Sequence, residues 1–108
     1  MATVTQATPP TVDKTTPDTW VVSGELTMQS LSRGWKALLK NLPERGTWQV
    51  NCQAVSKIDS AGLALFLAWL RHAKQHSLAL KLTHVNADTH ALLVAQGLEP
   101  LLTGVISP

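Results

Sequence analysis

The chain has 108 residues, of which 44% are hydrophobic and 15% charged, with a formal net charge of +2 and one cysteine. That is the size of one domain around one core, and it excludes a second domain carrying its own cofactor. Nine Lys and Arg stand against seven Asp and Glu and are spread from Lys14 to Lys81, so no clustered basic field exists to displace counterions from nucleic acid. Cys52 alone can form neither an intramolecular disulfide nor a zinc framework, which fits a reducing cytoplasm.

Residues 1–18 are rich in Thr and Pro and hold no apolar run of signal-peptide type. They are predicted to be a disordered arm ahead of a single domain at 19–108. Trp20-Val21-Val22 and Glu25-Leu26-Thr27, separated by Ser23-Gly24, read as two short strands hinged at a glycine turn. Met28, Leu31, Trp35, Leu38, Leu39 and Leu42 fall at helical spacing, and Pro43 stops the run, which predicts a first helix over Met28–Leu42. Thr47–Cys52 alternates, with Trp48, Val50 and Cys52 sharing one strand face.

A second helix is predicted from Asp59 or Ser60, either of which can cap it, to about His76. Leu78–Val85 alternates as a strand, Asn86 or Asp88 opens a short third helix through Ala95, and Gly97 ends it. Leu98–Ile106 reads as a final loop or short strand. Strands alternating with helices predict an α/β or α+β domain with helices packed on the sheet. The longest apolar stretch, Ala61–Leu70, is far shorter than the ~20 residues that span a bilayer, so any membrane association is expected to be indirect.

The second helix carries the functional signal. At 100° per residue, Leu63, Phe66, Leu67, Leu70 and Ala73 share an arc that should face the sheet. The opposite arc holds Ser60, Ala61, Ala64, Ala68, Arg71, His72 and Gln75, so the solvent side of its first turns is small, flat and barely charged. A plain surface helix would show Lys and Glu there. Leu65 and Trp69 border this arc at i, i+4; Trp69 is either an interface anchor or packed on a neighbouring helix of its own domain.

Catalytic and metal chemistry find little support. His72 and His76 are spaced to share a metal, but no HExxH or carboxylate accompanies them, and His84 and His90 have no motif linking them to the pair. Ser60 is not in GxSxG, Cys52 has no base beside it, and the glycines form no phosphate-cradling loop. The expectation is a non-enzyme without cofactor or metal.

Val55–Gln75, VSKIDSAGLALFLAWLRHAKQ, resembles the STAS domain family, most specifically at Asp59-Ser60-Ala61-Gly62-Leu63, and Ser23-Gly24-Glu25-Leu26 is similar to the family's G-E/D-L segment. The resemblance runs from about Thr19 to Leu102. It implies a small mixed sheet of four or five strands backed by helices, with a partner-binding surface around the start of the second helix. In phosphorylation-switched members the residue before the motif glycine is a serine; here it is Ala61, so the resemblance speaks against an anti-sigma factor antagonist, the alternative reading.

Asp59-Ser60-Ala61-Gly62-Leu63-Ala64-Leu65 is similar to the MlaB-like branch, the STAS subunits of bacterial phospholipid-transport ABC complexes that maintain outer-membrane lipid asymmetry. That resemblance implies a cytoplasmic accessory subunit, peripheral on the inner membrane through an MlaF-like ATPase subunit and, through it, the permease. The partner surface is then expected at Asp59, Ser60, Ala61, Gly62, Ala64, Leu65, Ala68 and Trp69.

Overall fold

The computed structural model describes residues 9–108. Its elements in chain order are β1 (Thr11–Thr16), β2 (Thr19–Leu26), α1 (Met28–Leu38), β3 (Thr47–Ile58), α2 (Ser60–Gln75), β4 (Ala79–Thr83) and α3 (Ala87–Ala95), followed by a 3-10 turn at Glu99–Leu102. The sheet order is β1-β2-β3-β4, antiparallel at its first pair and parallel at the other two. The parallel β2–β3 and β3–β4 connections each cross over through a helix, α1 and α2, and these two helices pack against each other. The expected mixed sheet backed by helices is therefore present, with four strands and one added bridge from Leu82 to Ile106.

The predicted disordered arm is corrected over its described part. Thr11–Thr16 forms an edge strand paired with β2, from Thr11 opposite Ser23 to Thr16 opposite Thr19. Composition suggested disorder, but threonine and valine are strong strand formers once an edge is free to pair. Val12 is half-buried, and the Lys14 ammonium lies 4.5 Å from the centre of the Trp20 ring, a cation–π contact. Residues 1–8 lie outside the described residues.

The predicted hinge at Ser23-Gly24 is not a break. β2 is one strand whose register against β3 shifts on either side of Ser23-Gly24, and Gly24 takes φ +99°, which only glycine adopts freely. α1 is shorter than the apolar spacing predicts: Leu39 ends it and Asn41 turns left-handed at φ 56°, two residues before Pro43. Its start is a capping box, with Thr27 and Ser30 each satisfying the other's backbone amide. β3 runs to Ile58, well past the predicted Cys52, because β2 accompanies it along that length.

The inward faces of β2, β3 and β4 supply Trp20 and Val22, Trp48 and Val50, and Leu80 and Leu82 to the core. Trp20, Trp48 and Trp69 meet edge to face, with ring centres 5.0 to 6.3 Å apart, the arrangement the aromatic quadrupole favours. Trp69 Nε1 donates to the Leu38 carbonyl at 2.9 Å. The Trp20 and Trp48 indole N–H groups have no oxygen or nitrogen acceptor among the described residues; they are buried within the ring cluster.

Cys52 is buried beside this cluster, and desolvation pushes its thiol up from 9.0 to about 12. Between those values the unfolded chain ionises its thiol while the folded chain does not, so the unfolded state binds fewer protons. Stability from this group is therefore complete below pH 9.0 and falls as pH rises toward 12. In urea melts across that window, Cys52→Ala should show a shallower alkaline decline than the parent; parallel declines would refute the assignment.

Candidate functional site

Two helix starts converge on one carboxylate. Asp59 caps α2, its Oδ1 accepting from the Ala61 amide at 2.8 Å, while Oδ2 accepts from the Met28 amide at the start of α1 at 3.0 Å. The Asp59 amide donates to the Leu26 carbonyl at 3.2 Å. One side chain thus supplies acceptors to exposed first-turn donors of both helices and ties the β2–α1 corner to the β3–α2 corner. The capping role predicted for Asp59 or Ser60 falls to Asp59.

Ser60, the first residue of α2, is exposed, with its Oγ 3.4 Å from Gln96 Nε2 just beyond α3. Ala64 is exposed and Ala61 and Ala68 are half-buried, so the small flat face predicted for α2 is present. These residues and Asp59 form one continuous rim. Met28 joins it from α1 at 72% exposure. It belongs to the apolar spacing that predicts α1, but as the first residue of that helix it is exposed.

Three predicted partner contacts are corrected. Leu65 and Trp69 are both fully buried; Trp69 packs on Trp20 and Trp48 of the sheet while α1 lies alongside α2. Trp69 bonds the Leu38 carbonyl, and Leu65 lies one turn earlier on the same side. Gly62 is buried too: a Cβ added there would stand 2.5 Å from the Leu26 carbonyl oxygen and from Ile58 Cγ1. Glycine at 62 lets α2 start hard against β2, which is an internal packing role.

His72 is engaged within the fold. His72 Nε2 lies 2.6 Å from the Pro43 carbonyl and so donates to it, and the His72 and His76 rings stack 4.3 Å apart. Among the described residues, no three His, Cys, Asp or Glu side chains gather as metal ligands. No helix among the described residues is long and apolar enough to cross a membrane.

A family model described as "Mlab, STAS domain" matches residues 14–103. The chain belongs to that STAS-domain family. No curated protein matches it in sequence. Among solved structures it is similar to a sulfate transporter family protein from Wolinella succinogenes, with TM-score 0.61 and 14% identity over 82% of this chain and 74% of that one. It is also similar to the anti-sigma factor antagonist SpoIIAA in its unphosphorylated form, with TM-score 0.58 and 18% identity over 92% of this chain and 87% of that one. The phosphorylated form of SpoIIAA, a Bacillus cell fate determinant, aligns with TM-score 0.58 and 19% identity over 91% and 88% of the two chains. At these identities the likeness establishes the STAS fold.

Proposed function

We propose that this chain is a non-catalytic accessory subunit that binds the cytoplasmic ATPase subunit of a bacterial ABC phospholipid transporter of the Mla type, and through it the permease. The reading is carried by the rim at the start of α2, where Ser60 presents an exposed hydroxyl beside Ala61 and Ala64. Small side chains let a partner's backbone approach closely, and uncharged ones cost little to desolvate. The family model's description names the same branch. Ala61 supplies no hydroxyl to modify, which favours a constitutive contact over a phosphorylation switch. Asp59 acts as the positioning residue, and Ser60, Ala61, Ala64, Ala68 and Met28 are the contact set. The protein sits in the cytoplasm and reaches the inner membrane only through its partners.

The test is affinity purification of the tagged protein from its native membranes in mild detergent, comparing the parent with Ser60→Arg and Ala64→Trp. Both substitutions fall on exposed positions, so circular dichroism and melting temperature should stay near parental values while recovery of an ABC ATPase and its permease falls by about tenfold or more. Equal recovery with all three proteins would move the interface elsewhere. Recovery of a soluble anti-sigma factor or kinase in place of the transporter would overturn the reading.

A further inference from the structure

A cavity elsewhere in the domain is lined by none of the rim residues described above. It lies between α3, the 3-10 turn and the C-terminal segment, and encloses about 580 Å³, within the ~300–1,000 Å³ range of small-molecule sites. Its apolar lining includes Val85, Leu93, Leu102 and Ile106, with the polar Asn86 and Thr103 also at its surface. His90 and Glu99 also line it, joined by a 2.9 Å contact between His90 Nε2 and Glu99 Oε2, with both side chains about half exposed.

The outer wall is pinned in place. Leu82 donates to the Val105 carbonyl at 2.8 Å, Ser107 donates to Leu82 at 2.9 Å and Val85 donates to Ser107 at 3.1 Å. Lys81 Nζ holds the Gly104 carbonyl at 2.6 Å. The segment that closes the cavity is thus laddered onto β4, and the space is part of the folded domain.

The lining chemistry selects the occupant. Apolar walls call for a hydrocarbon or aromatic body. Glu99 is the acidic side chain of the lining, and its contact with His90 engages Oε2, leaving Oε1 to accept from a second donor. An ammonium at that position makes a charge-assisted hydrogen bond, whereas a carboxylate sets like charge against Glu99. We propose that this cavity is a binding site for a small apolar amine, with its body among Val85, Leu93, Leu102 and Ile106 and its ammonium donating to Glu99. The site is independent of the transporter reading, since it shares no residue with the α2 rim.

The full chain, titrated with phenethylamine, phenylacetate and phenethyl alcohol in turn, tests this by backbone-amide NMR. Phenethylamine should give saturable shifts centred on Val85, His90, Leu93, Leu102 and Ile106. It should bind roughly fivefold more tightly than the alcohol, the size of a charged hydrogen bond discounted for exposure, and phenylacetate should bind weakest. Glu99→Gln should erase the preference for amine over alcohol while leaving the alcohol's affinity in place. Ala87→Trp, at an exposed residue lining the cavity, should block both. Absence of saturable shifts, phenylacetate binding as well as phenethylamine, or an amine preference that survives Glu99→Gln would each overturn the proposal.

Discussion

Gly62→Ala should destabilise the domain by about 2–3 kcal/mol, at the upper end of what one inserted methyl costs in a packed site. The added Cβ would meet the Leu26 carbonyl oxygen and Ile58 Cγ1, each at 2.5 Å, and a backbone oxygen within a strand has no rotamer through which to yield. That oxygen also accepts from the Asp59 amide. Relieving the clash by moving α2 outward would therefore stretch the Asp59 contacts to Leu26 and Met28 together. A urea melt should show a midpoint lowered by roughly 1–2 M at an ordinary slope for a domain of this size. Ala64→Gly, on the exposed side of the same helix, is the control, expected to cost only about 1 kcal/mol through helix propensity. A Gly62→Ala loss no greater than the control's would mean that α2 does not sit hard on β2.

Trp69→Glu should leave the isolated domain unfolded. Trp69 is fully buried, its ring packs against Trp20, Trp48 and Phe66, and its indole N–H satisfies the last carbonyl of α1. Replacement removes about 3–5 kcal/mol of aromatic packing and also places a carboxylate in an apolar core. Together these consume most of the stability of a domain of this size. Far-ultraviolet circular dichroism and near-ultraviolet tryptophan signals should both collapse without any partner present. A folded Trp69→Glu monomer that had lost only partner binding would restore Trp69 to the interface, as the helix-wheel reading allows. Trp69→Phe separates packing from the hydrogen bond: it should fold, with a loss of about 1–3 kcal/mol from the smaller ring and the unpaired Leu38 carbonyl.

These two residues mark where the sequence was readable. Periodicity located the three α-helices and, within their bounds, β3 and β4, because alternation and 100° spacing report burial against a single neighbour; β2 reads in the sequence as two short strands and the 3-10 turn as loop or strand. Trp69 and Leu65 escaped that logic since α2 has two neighbours: the sheet beneath it and α1 alongside it. Helical angles cannot say which flank a second helix will cover. Gly62 fell within the motif carrying the family resemblance, yet its buried position depends on the closeness of Leu26 and Ile58 in space. Met28 counts toward the spacing that predicts α1, yet as the first helical residue it is exposed. β1 was hidden by composition: Thr-rich segments near prolines look disordered until a neighbouring edge offers hydrogen bonds. The exposed Ser60 and Ala64, by contrast, were legible from the lack of Lys and Glu on the first turns of α2.

The shared carboxylate of Asp59 has a consequence for recognition. Met28 and Ser60 belong to segments far apart in the chain, yet both helix starts hang from the same two oxygens. The backbones of the two helix starts are consequently tied to each other before any partner arrives, and what a partner touching both would still have to order is side chain, chiefly the exposed Met28. The backbone share of the entropy of ordering a surface there, part of the cost of any association, is met during folding. Under the proposed function, the small rim residues would then meet their partner on a backbone already held in place.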